Sequence, residues 1–202
     1  LNTQRPEWND ANNALAGYGA SVVTLNYLHR HLSFLERWLV DIDFDAVSLS
    51  ESVYDYLRAI QTILKSNEST LLAPINDEDR RQIQDQLGRA GCDYRQGLYE
   101  QGLSQTARSL PKDALVEFLG LSRSIIAQSI RANRREDGLY HAYNLLEFKE
   151  GRTEVDTLYE MLEGQVAVLS ARLLPATEAL EVLEALQVSA MYDQRRDSYQ
   201  LY

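Results

Sequence analysis

The sequence predicts an all-α chain built of antiparallel helical hairpins. Apolar residues recur every three or four positions through most of its 202 residues, and no stretch alternates cleanly enough to read as a strand. The connections between periodic stretches are short except around 67–76 and 135–155, and short connections imply antiparallel neighbours.

Leu15, Tyr18, Val22, Leu25, Leu28, Leu32, Leu35 and Leu39 mark one face of a first helix, from about Asn13 to about Val40. Ser48 and Ser50 offer caps for a second, lined by Val53, Leu57, Ile60 and Leu64. Asp77, Glu78 and Asp79 place negative charge where a third helix needs it, and Gly88, Gly91 and Gly97 weaken that helix enough to break it near Gly91. Pro111 suits the first position of a fourth, lined by Leu115, Phe118, Leu119, Ser122, Ile126 and Ile130. Residues 138–148 carry no clear period and read as loop or short helix. Val155, Leu158, Leu162, Val166, Leu169 and Leu173 give a fifth helix, and Pro175 opens a sixth with Leu180, Leu183 and Leu186. The whole chain, 1–202, reads as one domain or as part of a larger one. Half a dozen such helices could form a self-contained bundle, a solenoid or a section of an α/α barrel.

Composition narrows the function. Thirty acidic residues face twenty basic ones, a formal net charge of −10, so nucleic acid and anionic lipid are disfavoured partners. No apolar run is long enough to span a bilayer. Cys92 has no second cysteine to pair with, and three histidines do not make a persuasive metal set. His29 and His31 lie on different helix faces, and the Asp41, Asp43, Asp45 run lacks the glycine and terminal glutamate of a calcium loop. The sole cysteine suits a reducing compartment, and the expected location is the cytoplasm.

Two stretches have the composition of a site. Pro6-Glu7-Trp8-Asn9-Asp10-Ala11-Asn12-Asn13, followed by Gly17-Tyr18-Gly19, is dense in carboxylates and carboxamides around one tryptophan. Such groups hydrogen-bond vicinal sugar hydroxyls, while an aromatic face stacks on the ring. A carboxyl group beside tryptophan can be desolvated into a general acid. The plainer alternative is a helix cap, with Asp10, Asn12 or Asn13 capping and Trp8 packing as a staple. The second stretch, Asn133-Arg134-Arg135-Glu136-Asp137-Gly138-Leu139-Tyr140-His141-Ala142-Tyr143-Asn144, gathers arginines, acids and an imidazole. Arg134, Arg135 and His141 suit inorganic phosphate, and Glu136, Asp137 or Glu147 could activate water. The same arginines would also complement a helix C-terminus, with solvated acids beyond.

Trp8-Asn9-Asp10, a small residue and Asn12 resemble the Asp-Trp-Asn-Asp-Gly-Met-Asn segment of cellobiose phosphorylase-type enzymes, of the (α/α)6-barrel clan of glycosidases and glycoside phosphorylases. The resemblance covers about ten residues. It departs where Glu7 replaces the first aspartate and Ala11-Asn12-Asn13 replaces Gly-Met-Asn. It implies a section of an (α/α)6 barrel, with Asp10 as the general acid and the remainder of the barrel upstream of Leu1. It also implies a carbohydrate substrate gripped by Trp8, Asn9 and Asn12, and inversion by hydrolysis or phosphorolysis. No cofactor is implied beyond inorganic phosphate as co-substrate. A section lacking its other half would expose apolar surface and form a homo-oligomer. The alternative from another class is a non-catalytic helical protein-interaction module, whose sign would be a continuous apolar groove.

Overall fold

The computed structural model describes residues 19–201. It is 58% helix, but 17% of it is strand, in three antiparallel sheets, so the chain is mixed α/β. This corrects the all-α expectation, whether bundle or (α/α)6-barrel section. Contacts divide the chain into two units, with boundaries inside the first helix, inside the fourth long helix and at residues 150–152.

The first unit comprises residues 19–31, 126–149 and 153–201. It opens with β1 (Gly19–Ser21), which runs directly into α1 (Val22–Asp41). The helix therefore starts later than the apolar stripe suggests. The Ser21 hydroxyl accepts from the Thr24 amide at 3.0 Å, and the Val22 and Val23 amides donate to the Ala142 carbonyl at 3.0 and 3.2 Å. Those contacts satisfy helix-start donors that would otherwise be orphaned. β1 pairs antiparallel with β4 (Tyr143–Lys149), in the register Gly19↔Leu145, Ala20↔Asn144, Ser21↔Tyr143, and β5 (Arg152–Thr157) flanks β4 on its other side. Gly151, at φ 71°, sits in the turn between β4 and β5, where side chains are disfavoured.

Residues expected to form loop or helix are thus strands, and their burial explains why they were missed. In β5 the inward residue is Thr153, while Val155 is 37% exposed; in β4 Asn144 is buried and Phe148 exposed. The expected fifth helix shrinks to α6 (Leu162–Ser170) in this unit, because Val155 belongs to β5. α7 (Ala176–Val188) begins just after Pro175, and a terminal hairpin joins β6 (Tyr192–Asp193) to β7 (Ser198–Tyr199). The core gathers Ile130, Leu139, Tyr140, Val168, Val182, Leu186 and Met191.

The second unit, residues 32–125 and 150–152, is a helical hairpin beside a two-stranded ribbon. β2 (Ala46–Ser50) pairs antiparallel with β3 (Ala107–Pro111), with Val47 opposite Leu110. Ser48 and Ser50 lie in this ribbon, and Ser50, although at the N-cap of α2 (Glu51–Ser66), makes no side-chain cap bond. The Glu51 amide donates instead to the Thr106 carbonyl at 2.9 Å. Pro111 ends β3, and α5 (Lys112–Arg131) starts after it. Between α2 and β3 lie the short α3 (Glu68–Leu71) and the long α4 (Asp77–Gln101). α4 passes unbroken through Gly88, Gly91 and Gly97, correcting the expected break. Its start is capped by Asn76, which accepts from the Asp79 amide at 2.7 Å, and Tyr94 stacks on Tyr56 of α2 at 4.6 Å. Among the described residues no helix is long and apolar enough to cross a membrane.

Candidate functional site

Of the residues singled out in the sequence, Trp8, Asn9, Asp10 and Asn12 lie outside the described residues. Arg134, Arg135, Glu136, Asp137 and His141 lie within the first unit, on the segment that leaves α5 and enters β4. The Arg135 amide donates to the Leu139 carbonyl at 2.8 Å and the His141 amide to the Asn133 carbonyl at 3.0 Å, closing a small antiparallel loop around the Arg134↔Tyr140 bridge. Gly138, at φ 84°, supplies the left-handed turn at its tip.

The loop is locked from below by α6. Gln165 is fully buried, and its carboxamide pairs with the Tyr140 backbone as another strand would: the Tyr140 amide donates to Oε1 and Nε2 donates to the Tyr140 carbonyl, each at 2.8 Å. Gly164 lets the two backbones approach. A Cβ there would lie 2.9 Å from the Tyr140 carbonyl oxygen and 3.1 Å from the Ala142 nitrogen. Asn133 and Asn144, eleven residues apart, bond side chain to side chain at 2.8 Å. The Tyr143 hydroxyl donates to Glu163 at 2.7 Å.

On this frame adjacent side chains diverge, as extended backbone requires. Arg134 turns to α7 and donates to Glu181 at 2.6 Å. Arg135 turns the other way. It holds Asp137 in a fork, with Nε 3.1 and 3.0 Å from the two carboxylate oxygens and Nη2 2.8 Å from Oδ2. It also reaches Glu160 and the Leu158 carbonyl, each at 3.4 Å. His141, half-buried, meets the same Leu158 carbonyl with its ring. The structure therefore brings Arg135, Asp137 and His141 together, leaves Arg134 with Glu181, and leaves Glu136 exposed.

The electrostatics follow from these partners. The hydrogen bonds from Arg135 hold the Asp137 carboxyl below the usual carboxylate range, aided by the Leu139 amide. Asp137 is thus ionised at neutral pH and too firmly held to serve as an acid. Burial, followed by the Arg135 charge, pushes the His141 imidazole down, favouring its neutral form. An incoming phosphate would have to compete with Asp137 and Glu160 for Arg135, and with Glu181 for Arg134.

The partners Glu160, Glu163, Gln165 and Glu181 were not singled out in the sequence. One of them left a signal: Gln165 directly precedes the apolar run Val166-Ala167-Val168-Leu169, and a buried carboxamide must find hydrogen bonds. In comparison with known proteins, no family model and no curated relative matches this chain.

Proposed function

We propose that the chain is a segment of a carbohydrate-active enzyme that cleaves a glycosidic bond with inversion, Asp10 giving its proton to the leaving oxygen. What supports this reading is the Trp8-Asn9-Asp10 motif, together with the arginines, acids and imidazole of the 133–144 stretch. Of the first stretch the described residues include Gly19, which pairs with Leu145 of β4. The Trp8-Asn9-Asp10 resemblance supplies the chemistry: Trp8 stacks on the sugar ring, while Asn9 and Asn12 hold its hydroxyls.

The attacking species is water or inorganic phosphate. For water, Glu136 is a better base than Asp137, which Arg135 holds, or Glu147, which Lys149 holds. For phosphate, Arg135 and His141, which lie together, are the groups to hold it, in competition with Asp137 and Glu160 for the arginine. The runner-up, a helical interaction module without chemistry, predicts no turnover under any condition.

The test is Asp10→Asn in the complete protein that carries this segment. The amide keeps the size and most hydrogen bonds but carries no transferable proton. Turnover of a disaccharide should fall by about 10²–10⁴-fold, and an aryl glycoside, whose leaving group needs less protonation, should lose less. Equal losses on both substrates, or an active variant, would return Asp10 to a capping role. Dependence of the rate on added phosphate distinguishes phosphorolysis from hydrolysis.

A further inference from the structure

Along one side of the α2–α4 hairpin, wholly within the second unit, runs an open, mainly apolar groove of about 780 Å³. It is built from one stripe of each helix. On α2 it takes Ser52, Tyr56, Ala59 and Ile63; on α4 it takes Gln86, Ala90, Tyr94, Gly97 and Gln101. These spacings of three and four follow a single helical face. From Ser52 to Ile63 the groove extends about 17 Å, three turns of helix. Small residues open it: at Gly97 nothing stands within 4 Å of where a Cβ would project. Two helical stripes bordering an apolar trough make the geometry into which a third helix packs.

The groove carries three charged side chains. Tyr56 and Tyr94 stack at its centre, their planes 10° apart, and each is preceded by an exposed aspartate, Asp55 and Asp93. Arg89 lies one turn before Asp93. None of these three has an ion pair among the described residues. Elsewhere in the unit Lys65–Glu117, Arg81–Asp85, Arg108–Glu51 and Arg123–Glu36 are paired, while Asp43, Asp45 and Glu78, like the groove acids, have no ion pair among the described residues. The groove thus keeps two carboxylates against one guanidinium on a chain of net charge −10. A second copy would bring the same negative charge to it, and a basic partner would be attracted.

We infer that this groove seats an amphipathic helix of a partner protein, with an apolar stripe in the trough and lysine or arginine side chains against Asp55 and Asp93. The mainly apolar lining argues against a sugar as occupant, and the tyrosine rings are turned on each other rather than offered to a ligand.

The probe is a fluorescein-labelled helical peptide of eighteen residues with a leucine–alanine stripe flanked by lysines, titrated against the full chain by anisotropy. A counterpart carries glutamate for lysine. The lysine peptide should bind at least tenfold tighter than the glutamate one, and added salt should erode that margin. Gly97→Leu fills the trough from within and should weaken binding at least tenfold with helix content unchanged by circular dichroism. The exposed, isosteric pair Asp55→Asn and Asp93→Asn should do the same and abolish the salt dependence, and it decides the matter should Gly97→Leu lose helix. Undiminished binding to both variants, or equal binding of the two peptides, overturns the proposal. So does sedimentation showing a dimer of this chain that Gly97→Leu dissolves, or saturation of the groove by a cello-oligosaccharide.

Discussion

The loop at 133–144 and the α2–α4 groove are both rich in charge and aromatic rings, yet they treat those groups in opposite ways. In the loop, Arg134 is held by Glu181, Arg135 by Asp137 and Glu160, Tyr143 by Glu163, and the Tyr140 backbone by Gln165. In the groove, Asp55, Arg89 and Asp93 stand at an apolar trough with no ion pair among the described residues. Polar groups paired within a packed frame hold a backbone in one conformation, even where the buried His141 Nδ1 and Asn144 Oδ1 are left without a partner, whereas unmatched charge beside apolar surface is what a partner can use. A density of charged residues in sequence does not say which of the two a stretch is.

The comparison can be broken at the loop first. Gln165→Leu keeps the volume but leaves the buried Tyr140 amide and carbonyl without their partner, and should cost about 3 kcal/mol of stability in urea titration. A neutral outcome would mean that the loop is held by its ion pairs alone. Gly164→Ala drives a Cβ to 2.9 Å from the Tyr140 carbonyl. Overpacking outweighs the gain in helix propensity, for a net loss of about 2 kcal/mol. The same change in the groove should have the opposite sign. Gly97→Ala meets no atom within 4 Å, so helix propensity alone acts and stability should rise by about 1 kcal/mol. A loss there would show that the trough is already filled.

The smallest effect is a slope with pH. His141 titrates lower in the folded chain than in the unfolded one, because burial and Arg135 oppose its charge. Below the ordinary histidine value of about 6.5 the unfolded chain binds the proton more readily, so stability falls as pH drops through the interval down to the folded value. His141→Gln should flatten stability between pH 7 and 5 relative to the parent. Asp137, held low by Arg135, adds a loss only in more acidic solution, below the ordinary carboxylate range.

Much of the helical framework was legible because helix stripes and caps are local. Val53, Leu57, Ile60 and Leu64 read as a face within one stretch of chain, and the acidic start at Asp77 marks the head of α4. Propensity misled at Gly91, where packing of Tyr94 on Tyr56 and the Asn76 cap outweigh three glycines worth about 1 kcal/mol each. At the loop, Arg135, Asp137 and His141 were visible as chemically able groups, but their state was not. Glu160 and Leu158 lie more than fifteen residues from Arg135, and Glu181 lies 47 from Arg134.

By itself the sequence determined the helical stretches and the negative charge, because both follow from residues and their near neighbours. Only the tertiary structure decided that Val47 and Leu110 are strand partners, that β1 closes on β4, and that Thr153 rather than Val155 points inward. A helix satisfies its hydrogen bonds within its own segment, so its pattern is written where it forms. A strand borrows its partner from elsewhere in the chain, and an arginine takes its charge partner from whatever the fold brings near, so neither can be read from one stretch alone.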